Sequence, residues 1–408
     1  MGYTELLKLY YGDKNAYNAE YRSRFGSSDA VKLNFNIKNN RAFFIINAEV
    51  AGIAIQILKT DKRVCLLSGD LPGVALGQFK KRCLIDEIIL TNKIEGVHST
   101  RKEITSILDD LEDAVKKKTT RRRFWGLVNQ YNKLETENHF LLKSCQDVRE
   151  LYDELVLAEV VKENPRNAPD GEIFRKDHAS VTAATDKEIH RGTYPEKAIC
   201  EDVEAALEFL NNGDIELLYR LSIFHYLLGY IHPFYDGNGR LGRFIVSGLL
   251  SQELNQLLAY RLSYTIAENI SQYYNAFKVC NDPHNLGDVT PFLVMMLNMI
   301  NRAALQLEDA LRNRHNRFDR YEKIIATLPG GTKDRTKRVY HVLIQAGLFS
   351  EHGISTRELE VHLGNSYTTI MKELEIISGG GLLIKNKVGN ENYYMVDLEK
   401  LDQVIPVA

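Results

Sequence analysis

Apolar residues recur at steps of three and four over two stretches that flank a short polar segment. Leu217, Leu221, Phe224, Leu228 and Ile231 mark one amphipathic helix, and Leu241, Phe244, Ile245, Val246, Leu249 and Leu250 mark a second. Between them the chain reads His232-Pro233-Phe234-Tyr235-Asp236-Gly237-Asn238-Gly239-Arg240-Leu241-Gly242-Arg243. Pro233 cannot continue the first helix, so the chain turns there. A segment this rich in polar groups is not core material, and two buried helices would hold it as a rigid mount for a site.

The same pattern divides the rest of the chain. Asn34, Asn36, Asn39 and Asn40 interrupt short extended pieces, Phe43 to Leu58 reads as an apolar helix, and Val74 to Asn92 as another, through Leu76, Phe79, Cys83, Ile85, Ile88 and Ile89. Residues 171 to 195 hold short extended pieces around a polar turn, a hairpin placed just before the two central helices. Phe292 to Leu328 is a long helical run stopped by Pro329-Gly330-Gly331. Beyond it Val339 to Ala346 reads as a helix, Ser355-Thr356-Arg357-Glu358 as a capping box opening the next, and Ser366 to Ser378 as a third. Leu382 to Val388 and Asn392 to Val396 form a hairpin about Gly389-Asn390. Helix, helix, turn, helix and hairpin together make a winged helix.

A chain of 408 residues is too long for one ordinary core. The expected domains are residues 1–115, 116–328 and 329–408. Net charge is −2, so no global field recruits nucleic acid or an anionic membrane. Lys116 to Arg123 has six basic residues in eight, but acids at Asp109, Asp110, Glu112 and Asp113 offset it, and a solvated charge run is the plainer reading. From Lys333 onward nine basic residues face ten acidic ones, which argues against a DNA reader and for protein contact by the winged helix. Five cysteines without a Cys-x-x-Cys pair read as reduced thiols. The start has no basic-then-apolar leader and no apolar run approaches the roughly 18 residues of a membrane span. A cytoplasmic protein without membrane contact is expected.

The chemistry of the polar loop follows from its residues. Gly237 and Gly239 allow backbone N–H groups close to a ligand, at the start of a helix whose unpaired N–H groups and dipole favour an anion. Arg240 and Arg243, one turn apart, suit phosphate oxygens. Asp236 would hold a hard cation such as Mg²⁺, with waters and substrate phosphates completing its shell. His232 is the group suited to take a proton near neutrality.

This loop resembles the signature of the Fic domain, His-Pro-Phe-x-Asp/Glu-Gly-Asn-Gly-Arg-x-x-Arg, at every fixed position. The resemblance implies a mainly α fold: a helical core with a small β-hairpin flap, here followed by the C-terminal winged helix. It implies transfer of AMP from ATP to a Ser, Thr or Tyr hydroxyl of a target protein or of the chain itself. His232 would be the base, Asp236 the Mg²⁺ ligand, and Asn238 with the N–H groups of Gly237 and Gly239 would stabilise the reacting phosphate. Arg240 and Arg243 would hold the outer phosphates. Thr91-Asn92-Lys93-Ile94-Glu95-Gly96 resembles the family's inhibitory motif, Ser/Thr-x-x-x-Glu-Gly/Asn, filled at Thr91, Glu95 and Gly96 and placed in an N-terminal region like that which restrains the enzyme from within the same chain. In some relatives with this glutamate the same acid is thought to serve AMP removal.

Ala179, Ser180, Val181 and Thr182 fall where the family's flap pairs with the target's main chain, although the usual glycine pair after the strand is missing. Tyr273, Tyr274 and Asn281 fall where the family closes over adenine and ribose, Asn281 being the preferred residue and helix packing the plain reading of the tyrosines. A homo-oligomer stays open. The competing reading is a nucleotide-sensing adaptor acting through the winged helix, and hydrolysis or another nucleotide transfer is a third. An intact His232 favours transfer, because a sensor needs an anion site and a metal but no base.

Overall fold

The structure, a computed structural model, describes residues 3–71, 73–112, 122–134, 141–182, 188–388 and 391–404. The chain divides into two compact units, one of Met1–Asp61 with Ile85–Ala304 and the other of Lys62–Leu84 with Leu305–Ala408. Most of the basic run Lys116 to Arg123, and the hairpin turn expected at Gly389-Asn390, lie outside the described residues.

In the first unit the two central helices are Leu217–Ile231 and Asn238–Glu253, as their periodicity predicts, and both are buried along almost their whole length. Leu221, Phe224, Leu228, Leu241, Phe244 and Ile245 are all essentially inaccessible. Burying side chains of this kind stabilises by roughly 1.5–3 kcal/mol each, so the pair forms a frame on which a polar loop can be held rigid. A third helical run lies against the loop: Cys145–Tyr152, a π-helical turn at Asp153–Leu157, then Ala158–Glu163. Ser144 opens it with a capping box closed by Asp147.

One expectation is corrected here. Phe43 to Ile45 belongs not to a helix but to the strand Asn40–Ile45, paired antiparallel with Ala30–Ile37, and the helix starts only at Ala48. Lys38 in the left-handed region turns the chain, and consecutive Phe43 and Phe44 are both buried, as a strand covered on two faces allows. Phe43 also bridges to Asp288 through Phe43 N–H to Gly287 O, 3.0 Å, and Val289 N–H to Phe43 O, 2.8 Å.

In the second unit the helices Asp334–Phe349, Thr356–Leu363 and Tyr367–Gly379 are followed by the strands Leu383–Val388 and Glu391–Val396. Ile354–Ser355 adds a short third strand, and Glu391–Val396 is the central one. The capping box at Ser355 and Glu358 is formed, and Gly364, with positive φ, ends the helix it opens. Among the described residues no helix is long and apolar enough to cross a membrane.

Candidate active site

The polar loop is closed by its own amide. Asn238 accepts Phe234 N–H, 3.0 Å, and donates to Phe234 O, 2.8 Å, so both ends of the side chain hold the turn. Phe234 is buried and stacked on Tyr152 with ring centroids 3.6 Å apart, while Tyr152 Oη donates to Asp236 O, 3.1 Å. Gly237 adopts positive φ at the N-cap of the second helix. A side chain there would press on Tyr152, Val156 and Val160, so glycine is needed for backbone conformation and for space alike.

His232 ends the first helix in the left-handed region, its N–H on Leu228 O at 2.9 Å. Burial, then the Arg175 cation, then His190, push its imidazole down to about 4 against the pull of Glu95. It is therefore neutral at pH 7 and able to accept a proton.

The two arginines of the loop meet different carboxylates. Fully buried Arg240 donates from Nη1 to Glu159 Oε1 at 2.7 Å, and its Nη2 lies 3.9 Å from Asp236 Oδ2. Its Nε and Nη2 have no hydrogen-bond partner among the described residues. Two buried guanidinium nitrogens whose N–H groups lack partners are costly unless a ligand supplies oxygens.

Arg243 donates from Nε to Thr91 Oγ1, 2.8 Å, and from Nη2 to Thr91 O, 2.9 Å, and to Glu95 Oε1, 2.8 Å. Burial works against its charge, but Glu95, with Tyr273 and Tyr131, holds the guanidinium above its ordinary pKa. Thr91 lies in the last turn of the helix Gly73–Ile94, Glu95 follows that helix, and Gly96, with positive φ, turns the chain away. The Glu95 carboxylate also lies on Gly239: a methyl group at that glycine would collide with it. An acid thus stands at the helix N-terminus where the residues of the loop call for an anion.

Asp236 accepts Gly237 N–H through Oδ1, 2.5 Å, and is partly exposed. No group of three or more His, Cys, Asp or Glu residues able to cage a metal occurs among the described residues. The donor set is one carboxylate beside an anion site, which fits Mg²⁺ held jointly with substrate phosphates.

The hairpin expected as the flap pairs Ser180 with Arg191, Val181 with His190 and Thr182 with Glu188, with an irregularity between Val181 and Thr182. Its turn, residues 183–187, lies outside the described residues. Ala179 is buried and accepts Gly192 N–H at 3.0 Å. Tyr273 is buried, its hydroxyl 2.7 Å from His225 Nε2, and packs near Arg243. Tyr274 is half exposed and donates to Ile94 O, 3.3 Å, at the end of the helix that precedes Glu95. Asn281 accepts Tyr226 Oη at 2.7 Å.

Two residues at the site carry no role in the sequence reading. Glu159 had a weak signal, an acid on the helical face marked by Leu155, Val156 and Val160. Arg175 had none beyond its place in the flap segment.

Residues 143–250 match the Fic/DOC family. The chain is 36% identical over 72 residues to the protein adenylyltransferase Fic of Drosophila grimshawi, covering 18% of this chain and 13% of that protein. It is 33% identical over 88 residues to that of Drosophila erecta, covering 21% of this chain and 16% of the relative. The matches thus span only a small part of these relatives' length. A solved Fic family protein from Desulfovibrio desulfuricans G20 superimposes with a TM-score of 0.52 at 20% identity, over 86% of this chain and 96% of its own, a likeness of fold.

Proposed function

This is a Fic-domain protein, and from that premise we propose that it transfers AMP from ATP to a Ser, Thr or Tyr hydroxyl of a target protein. The observation that carries the reading is the imidazole of His232, held in a left-handed turn at the entrance of a loop whose helix N-terminus and unpaired Arg240 nitrogens call for phosphate oxygens.

The hydroxyl oxygen attacks the α-phosphate as His232 takes its proton. The bond from the α-phosphorus to the pyrophosphate oxygen breaks, and pyrophosphate leaves with its electron pair. Arg240 and the N–H groups at the start of the second helix hold phosphate oxygens and stabilise the charge that develops on them. Asn238 acts through the loop it closes. Asp236 would hold Mg²⁺, which when bound supplies charge neutralisation on the phosphates. The strand Ser180–Thr182 is the edge on which an extended target segment would pair by main-chain hydrogen bonds. Burial, with Arg175 and His190, keeps His232 from taking a proton out of solvent, so the base stays ready for the hydroxyl. Catalysis here is positioning with electrostatics.

Glu95 is the brake in this reading. Its carboxylate holds Arg243 and lies on Gly239, so ATP that binds while the pair is intact has its α-phosphate turned from in-line attack. In the same reading Glu95 would also orient a water for AMP removal.

The test is incubation of wild type and His232→Ala with labelled ATP and a cell lysate, with mass analysis of labelled proteins. Loss of the base should lower transfer by about 10²–10⁴-fold while ATP binding is kept. Undiminished transfer by His232→Ala would remove the base assignment and favour a nucleotide-sensing role.

A further inference from the structure

Arg175 is as fully buried as Arg240 and Arg243, but its guanidinium meets no carboxylate in the hydrogen bonds it makes. It donates from Nε to His232 O at 2.9 Å, from Nη1 to Asp177 O at 2.6 Å, and from Nη2 to Thr193 O at 2.8 Å and Ile231 O at 3.4 Å. Its own N–H donates to Pro233 O at 3.4 Å. One residue thus binds the carbonyls of Ile231, His232 and Pro233 in succession and, with the same fork, the chain before the first flap strand and after the second. Thr193 N–H adds a direct bond to Ile231 O at 3.0 Å. The packing is close: a methyl group on Gly192 would lie 2.5 Å from Arg175 Nη2 and 2.9 Å from His232 Cβ.

Burying a cation among carbonyls is unfavourable, and burial does hold the Arg175 pKa below its ordinary value. Two features offset the cost. The carbonyl ends of the helix Leu217–Ile231 present the negative end of its dipole to the guanidinium. His232 is a non-glycine residue at φ 53°, a conformation that persists only where the surroundings over-determine it, and the fork fixes the carbonyls on both sides of that residue. A lysine has one point charge and cannot span these acceptors.

We propose that Arg175 is a positioning residue that locks the left-handed turn carrying the base to both ends of the flap, so that base and target-aligning edge strand move as one frame. The proposal rests on the transfer reading for its consequence, and on the hydrogen bonds alone for its geometry. It also has an electrostatic arm. The ionisable groups acting on the His232 imidazole are Arg175 and His190, which oppose its protonation, and Glu95, which favours it.

The experiment compares wild type, Arg175→Lys and Arg175→Met by NMR of ¹³C-labelled histidine, with the His232 resonance assigned by its loss in His232→Ala. The His232 midpoint should stay low in Arg175→Lys, which keeps the charge, and rise by about one unit in Arg175→Met. Amide exchange at Gly192 and Thr193 should speed up in both variants. With Glu95→Gly as parent and the protein itself as acceptor of AMP, adding Arg175→Lys should lower kcat about 10- to 100-fold with KM for ATP unchanged.

An unmoved midpoint in Arg175→Met, or exchange and kcat in Arg175→Lys equal to the parent, overturns the proposal. If Arg175→Met does not fold, exchange and the kcat against KM split in Arg175→Lys decide alone. A Glu95→Gly parent without any AMP transfer speaks against the proposed function instead, and the titration and exchange still judge Arg175.

Discussion

Arg240 and Arg243 stand one turn apart on the same helix, both buried and each within 2.8 Å of a carboxylate, yet the two pairs are built differently. Glu159 is 6% exposed and belongs to the helical run whose Tyr152, Val156 and Val160 pack around Gly237. Its acid is desolvated enough that burial pushes its pKa up even beside Arg240. Glu95 is 25% exposed and follows the end of a helix, at a turn made by Gly96. Water already reaches the Glu95 carboxylate, and the buried Arg243 keeps its bonds to Thr91 Oγ1 and Thr91 O when that pair breaks. The first pair is frame and the second is detachable, which is what a residue that gates the phosphate site requires.

The largest effect expected from this contrast is on stability. Glu159→Ala leaves a buried guanidinium without its hydrogen-bonded counter-charge, only part-exposed Asp236 remaining at 3.9 Å, and should cost about 3–5 kcal/mol in urea unfolding at pH 7. A loss below about 1 kcal/mol would place Glu159 with Glu95 and end the distinction.

A third carboxylate sharpens it. Glu87 lies two turns before Glu95, fully buried, accepting Ser263 N–H at 2.8 Å and Ser263 Oγ–H at 2.5 Å, and burial pushes it up to about 7 from 4.5 while Ser263 pulls it down. Because the folded value exceeds the unfolded one, the native state keeps a proton that the unfolded chain has released. This contribution is full below pH 4.5 and is lost as pH rises through 7, about 3 kcal/mol over the window. The difference in stability between wild type and Glu87→Gln, followed from pH 4.5 to 8, should show that slope, and a flat difference would mean that Glu87 titrates normally.

Next in size is the brake. Glu95→Gly should raise AMP transfer about 10- to 100-fold, corresponding to about 1.4–2.7 kcal/mol in favour of the unproductive pose, and should lower AMP removal. Both rates are to be measured separately against wild type and Arg243→Ala; equal rates in wild type and Glu95→Gly leave Glu95 a surface acid.

The smallest effect completes the comparison. Glu95→Ala should change unfolding stability by no more than about 1 kcal/mol, because the Glu95 carboxylate is part-exposed and Arg243 keeps both bonds to Thr91 without it. A loss as large as that of Glu159→Ala would make Glu95 structural.

Local chemistry was legible in the sequence. The helix Leu217–Ile231 ends where Pro233 requires, the second helix starts behind Gly237, the Ser355 capping box is formed, and Glu95, singled out by its motif, meets Arg243 across 148 residues of chain. Periodicity, proline and glycine act within a few residues, so their consequences can be read in order along the chain. Partnership across the chain was legible only where a motif recorded it. The strand at Phe43 was hidden because an apolar run buried on both faces looks alike as helix or strand until its neighbours are known.

Tyr273 sits in the core on His225, and the Asn238 amide closes its own turn. Neither could be told from a ligand contact by residue type. The tertiary structure alone decided that Glu159 meets Arg240 and that Arg175 ties the hairpin of Ser180–Thr182 and Glu188–Arg191 to the turn at His232. Both partnerships join residues more than fifty positions apart, and their strength depends on burial, which no single residue encodes.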